Sequence, residues 1–161
     1  MIKLVIFDLD GVLVDARELH YLAMNEALAE IDPKYVINRD EHLARYDGLS
    51  TTKKLKMLTE EKGLDPEHYN EVWKLKQLKT RNIIASDITE DLRLKNVIKT
   101  LKQDGYTIAV ASNSIRETVK MMLLKKGFLE YIDFYYSNQD VSNPKPNPEM
   151  YYKCMIKAGV S

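Results

Sequence analysis

The chain has 161 residues, 45% of them apolar and 30% charged, with Lys plus Arg at 24 and Asp plus Glu at 24. That length suits one domain with a proper core, or a core carrying a small insert. Zero formal charge argues against a nucleic-acid or anionic-membrane surface, no apolar run approaches the roughly 20 residues of a membrane span, and the single cysteine excludes an internal disulfide or a multi-cysteine zinc site.

The N-terminus leads straight into a strand, Ile2-Lys3-Leu4-Val5-Ile6-Phe7, which ends in Asp8-Leu9-Asp10-Gly11. It lacks the charged leader, apolar core and small-residue cleavage site of a signal peptide, so a reducing, cytoplasmic setting is expected. Leu19, Leu22, Ala23, Ala27 and Leu28 mark an amphipathic helix ending near Ile31-Asp32-Pro33. A short helix over Asp40 to Tyr46 stops at Asp47-Gly48. Ser50 caps the next helix, which carries Leu55, Met57 and Leu58 and ends at Gly63. Asp65-Pro66-Glu67 opens another, through Val72, Trp73, Leu75 and Leu78. Residues 16–80 therefore form an all-helical block.

The pattern then changes. Asp91 to Gln103 is helical and Asp104-Gly105 breaks it. Tyr106 to Ser112 is a buried strand, Ser114 to Lys126 a helix ended by Gly127, Ile132 to Tyr136 a short strand, and Asn147 to Ala158 a final helix. Cys154 falls among Tyr151, Tyr152, Met155 and Ile156 and reads as a buried structural thiol. Strands alternating with helices imply an α/β fold, a parallel sheet with crossover helices. The expected division is a core from 1–15 and 81–161, with 16–80 inserted after the first strand.

The chemistry gathers at the strand ends, which parallel strands bring to one rim. Strand one ends in Asp8 and Asp10, strand two in Ser112-Asn113-Ser114, and strand three is followed by Asn143-Pro144-Lys145-Pro146-Asn147-Pro148. An Asp-x-Asp-Gly alone is also a common turn. Two ionised carboxylates so close repel, and a divalent cation or a proton relieves them. A carboxylate pair, a hydroxyl and an ammonium on one rim suit a phosphoryl group. Asp8 can attack phosphorus and split one hard displacement into two easier ones. Asp10 can protonate the departing alkoxide, help typically worth ~10²–10⁴-fold. Mg²⁺, a hard-oxygen ion, would offset the repulsion between Asp8 and an incoming phosphate. Ser112 can donate to a phosphate oxygen, and the helix after it offers N–H groups at a positive dipole end. Ser114 with Glu117 matches a capping box for that helix. Lys145 supplies a point charge on a loop stiffened by Pro144 and Pro146.

Three motifs in order, Asp8-Leu-Asp10-Gly11-Val-Leu-Val-Asp15, Val110-Ala-Ser112-Asn113-Ser114 and Asn143-Pro-Lys145-Pro146-Asn-Pro148-Glu149, resemble the haloacid dehalogenase superfamily. The helical insert and its loop Asp47-Gly48-Leu49-Ser50-Thr51 resemble the helical-cap branch, which includes phosphoglycolate phosphatase-like enzymes and β-phosphoglucomutase. The resemblance implies a three-layer Rossmann-like core with a helical cap. It implies a Mg²⁺-dependent phosphatase acting on a small phosphorylated metabolite, with Asp8 as nucleophile and Asp10 as acid/base. The metal would sit on the Asp8 carboxylate and the Asp10 carbonyl, and the phosphate on Gly11, Ser112, Asn113 and Lys145. Ser50 and His20 are the cap's candidates; His20 has a second reading, as a plain helix-surface or packing histidine. The family often has the Lys145–Pro146 bond cis.

The chain departs from the family in three places, one of them Ile88-Thr-Glu-Asp91, which stands where a Pro-Gly often opens the next core helix. The fourth motif, a strand ending in an acidic pair, is missing, so the last core strand is expected to be absent. That leaves strand one as an apolar edge open to self-association. Thr51 stands where β-phosphoglucomutases carry an arginine for a second phosphate, which lowers the mutase reading. A reading of another class is a remnant that binds phosphate or a partner strand without turnover. His42 and His68 are expected at the surface, and Lys74, Lys76, Lys79 and Arg81 as a solvated basic face.

Overall fold

The structure, a computed structural model, describes residues 2–47 and 49–160. It divides into two compact units, one from Met1–Ala16 and Ile84–Ser161, the other Arg17–Ile83.

The first unit is built on a three-stranded parallel sheet in the order β1-β2-β3, with β1 at Leu4–Phe7, β2 at Thr107–Ala111 and β3 at Phe134–Tyr136. Leu4 pairs with Thr107 and Phe7 with Val110, while Ala109 pairs with Phe134 and Ala111 with Tyr136. This register brings all three C-terminal ends to one rim. β2 is the central strand, and its Ile108 to Ala111 are fully buried, as a continuous apolar run in a covered parallel sheet should be. β1 is an edge strand, as expected. Leu4 and Ile6 of β1 and Phe134 and Tyr136 of β3 pack on a core of Ala109, Ala111, Met150 and Cys154. Burial pushes the Cys154 thiol up to about 11, so it is inert at neutral pH.

The second unit contains α1 (Arg17–Ile31), a short α2 (Arg39–Glu41) continued by a π-turn over His42–Tyr46, α3 (Thr51–Lys62) and most of α4 (Tyr69–Asp87). Its core is Met24, Ala27, Leu28, Ile37, Tyr46, Leu55, Leu58, Leu64 and Val72. Ser50 caps α3 through the Lys53 N–H, and Gly63 ends it at φ +69°, a conformation glycine adopts without strain. α4 runs seven residues past the expected end at 80. No Gly or Pro lies between Tyr69 and Asp87, and Thr80 and Ile84, one turn apart, are both buried. The remaining helices, α5 (Leu92–Gln103), α6 (Arg116–Lys125) and α7 (Glu149–Ala158), belong to the first unit; α5 packs on β2 and α7 on all three strands. Among the described residues, no helix is long and apolar enough to cross a membrane.

His42 corrects the surface expectation. It is only 5% exposed, its ring lies 4.7 Å from that of Tyr21, and its Nε2 is 3.7 Å from Asp47. His42 and Tyr46 are the two buried residues of the π-turn, a burial set by tertiary packing that residue type alone does not signal. His68 remains half-exposed beside Glu71. Burial, reinforced by the Lys54 charge, holds the His42 imidazole below its ordinary range, against the pull of Asp47. Lys54 itself is 8% exposed, and burial likewise draws its ammonium down. The folded His42 thus resists a proton that the unfolded chain accepts near its ordinary value. Its contribution to stability is complete above about pH 6.5 and is lost as pH falls through the lower folded value. Thermal midpoints measured from about pH 7.5 to about 5.5 should fall more steeply for the unaltered chain than for His42→Gln; parallel curves would refute this.

Candidate active site

β1 ends at Phe7, so Asp8 is the first residue on the rim. Its Oδ1 accepts the Leu9 N–H at 2.7 Å, and the Lys145 ammonium stands 2.7 Å from the same oxygen. The Asp8 side chain is 41% exposed and that of Lys145 only 13%. A charge-assisted contact of this length on a largely covered ammonium fixes the carboxylate in one orientation. Both donors use Oδ1; among the described residues Oδ2 accepts no hydrogen bond.

Asp10 comes from a tight loop. The Leu9 carbonyl accepts the N–H groups of Val12, Leu13 and Val14, and the Gly11 N–H donates to Val14 at 2.7 Å. Gly11 has φ +78°, which L side chains rarely adopt, so its residue type is set by the turn. Leu9, Leu13 and Val14 are buried and anchor the loop from below. The Asp10 Oδ2 accepts the Ser114 O–H at 3.2 Å.

The segment after β2 ties the rim together. Ser112 is fully buried; its N–H donates to Tyr136, and its Oγ accepts the Ser114 N–H at 3.0 Å, leaving its own proton to donate. Asn113 makes a reciprocal pair with the Lys145 backbone, Nδ2 to the carbonyl and Oδ1 from the N–H, both at 2.9 Å. The capping box expected at Ser114 and Glu117 does not form. α6 starts at Arg116 with Ile115 at its cap position, and the Arg116 N–H is taken by Gln139. The Ser114 hydroxyl, released from local duty, goes to Asp10. A reciprocal box forms instead between Ser137 and Asp140, after β3.

The third arm is the loop before α7. The Lys145 ammonium donates to the Ala111 carbonyl at 2.9 Å as well as meeting Asp8, so it bridges the ends of β1 and β2. The Lys145–Pro146 bond is cis. Glu149, to which the sequence assigned no role, accepts the N–H groups of Ser142 and Asn143 at 2.9 Å each. These two bonds hold its carboxyl below the usual range. An acid in the first turn of α7 was the available signal.

The other candidates lie in the second unit. His20 is half-buried on α1, and Ser50 caps α3. Gly48 of the loop Asp47–Thr51 lies outside the described residues. The expected solvated basic face on α4 is instead largely engaged. Lys76 donates to the Thr51 hydroxyl at 2.8 Å, and Lys79 meets Glu30 at 2.5 Å.

Among the described residues, no three His, Cys, Asp or Glu side chains stand together as a metal-binding group. The Asp8 carboxylate and the Asp10 backbone carbonyl offer two hard oxygen donors. That set fits Mg²⁺, which takes one or two carboxylates and keeps several waters.

Residues 5–161 match the family model of haloacid dehalogenase-like hydrolases. The chain is 31% identical to the pyrophosphatase PpaX of Halalkalibacterium halodurans over 162 residues, covering 98% of this chain and 70% of that protein. Among solved structures it is similar to a predicted phosphoglycolate phosphatase from Haemophilus somnus 129PT, with a TM-score of 0.83 and 20% identity, covering 99% of this chain and 72% of that one. It is also similar to CbbY from Rhodobacter sphaeroides in complex with phosphate, with a TM-score of 0.84 and 22% identity, covering 99% and 74%. These two likenesses show a shared fold.

Proposed function

The chain belongs to the haloacid dehalogenase-like hydrolases and is a phosphatase-type hydrolase of that family, and from that premise we propose that it cleaves the phosphate of a small metabolite through an aspartyl-phosphate on Asp8, with Mg²⁺ as cofactor. The observation that carries this reading is the Lys145 ammonium, 2.7 Å from Asp8 Oδ1 on a rim that also holds Asp10 and Ser112.

Asp8 attacks phosphorus, and the leaving oxygen takes a proton from Asp10. In the second half Asp10 receives a proton from the water that hydrolyses the acyl phosphate, so one carboxyl serves both steps. Lys145 and the Ser112 hydroxyl hold the phosphoryl oxygens, where charge is spread in a loose transition state. Asn113 acts on this chemistry through the Lys145 backbone, and Gly11 through the turn that presents Asp10. Mg²⁺, held by the Asp8 carboxylate and Asp10, supplies charge cancellation when bound. The second unit, Arg17–Ile83, takes the part of the family's helical cap in this reading, with Ser50 and His20 as its candidate substrate-binding residues.

The substrate is a small phosphate ester or anhydride. The relative named as a pyrophosphatase puts pyrophosphate beside an aryl phosphate among the first compounds to try. The full chain with Mg²⁺ should release phosphate from at least one of them, and a chelator should stop it. No release from either, or release unaffected by the chelator, would overturn the reading.

A further inference from the structure

We infer that Ser114 is a positioning residue that holds the general acid Asp10 in place for protonation of the leaving group; this rests on the phosphatase reading above. The Ser114 backbone is held at both of its polar groups. Its N–H donates to Ser112 Oγ at 3.0 Å, and its carbonyl accepts the Asn138 N–H at 3.2 Å. With both backbone groups held, one rotor remains, and its hydroxyl donates to Asp10 Oδ2 at 3.2 Å across 104 residues of sequence.

The alternative, that Ser114 is there to cap α6, is removed by the structure. Ile115 occupies the cap position without a side-chain bond, and the Arg116 N–H is satisfied by Gln139. The same three residues divide the work of the rim. Ser112 accepts the Ser114 N–H, Asn113 pins the Lys145 backbone, and Ser114 reaches back to Asp10. The acid arrives from the loop after β1 and the cation from the loop before α7, so Ser112–Ser114 sets the two relative to each other. A carboxyl free to rotate presents its proton to the leaving oxygen only part of the time. One hydrogen bond on Oδ2 narrows that search, which is how a positioning contact raises turnover without adding affinity.

The test compares two substrates in the full chain with Mg²⁺. An alkyl phosphate must be protonated as its alkoxide departs, whereas p-nitrophenyl phosphate releases a stable phenolate with little help. Ser114→Ala should lower kcat/KM, which reports formation of the acyl phosphate and not its hydrolysis, about 10- to 100-fold on the alkyl phosphate and by less than about 3-fold on p-nitrophenyl phosphate. Ser114→Thr, which keeps the hydroxyl, should restore most of the alkyl rate. Equal losses on both substrates, no loss on either, or no rescue by threonine would each overturn the inference. A variant that melts early would show the equal-loss pattern and so counts against it. If the unaltered chain hydrolyses neither substrate, the phosphatase reading itself has failed, and this inference with it.

Discussion

Replacing Asp8 with Asn is expected to remove about 10⁴-fold or more of phosphate release, the scale seen when a covalent nucleophile is lost. The substitution is nearly isosteric. The amide oxygen can still accept the Leu9 N–H at the place where Asp8 Oδ1 accepts it at 2.7 Å, so the loop after β1 should keep its shape. What disappears is an oxygen able to form an acyl phosphate. Binding should not suffer in parallel. Asn removes a negative charge facing the phosphate, so inorganic phosphate should bind Asp8→Asn at least as tightly as the unaltered chain. Turnover and phosphate titration, measured on the same preparation, separate these effects. Activity above about 1% of the original would remove Asp8 from the nucleophile's role.

Lys145→Ala should cost the second-largest amount, ~10²–10³-fold in kcat/KM, as when a preorganised donor to a developing anion is deleted. The lysine has two tasks. Its ammonium neutralises Asp8 at 2.7 Å, and it satisfies the Ala111 carbonyl at the end of β2 at 2.9 Å. Alanine leaves that carbonyl without its partner, so a stability loss of about 1–3 kcal/mol is expected alongside the kinetic one. Lys145→Arg should rescue little. A planar guanidinium cannot take the place of a point charge that fits between a carbonyl and a carboxylate with 13% of its side chain exposed. Steady-state kinetics with thermal melts check both halves. A kcat/KM within about 3-fold of the original in Lys145→Ala would contradict the assignment.

The parts legible in the sequence are those written in local chemistry. The apolar runs at Leu4–Phe7 and Thr107–Ala111, the cap at Ser50 and the glycine at Gly63 each carry their own signal, and each sits in the structure where that signal puts it. The rim also followed, because parallel strands leave little choice about where Asp8, Ser112 and Lys145 meet. What escaped was the choice of partner. Ser114 and Glu117 have the spacing of a capping box, yet the hydroxyl prefers a carboxylate 104 residues away. The true box, at Ser137 and Asp140, has the same spacing and no stronger local mark. His42 and Lys54 look like surface residues by type, and only tertiary packing shows that both are buried. Glu149 belongs to the same class. Its spacing from Ser142 and Asn143 means nothing until the loop folds back on the start of α7.

The central claim is that Asp8 becomes phosphorylated during turnover. The most direct measurement is an acid quench of the full chain during reaction with Mg²⁺ and a hydrolysed substrate, followed by peptide mass mapping. The account predicts a phosphoryl group on the peptide carrying Asp8, formed and discharged at rates consistent with turnover and missing in Asp8→Asn. A phosphoryl group on another residue, or steady phosphate release with no phosphorylated peptide at any quench time, would contradict it.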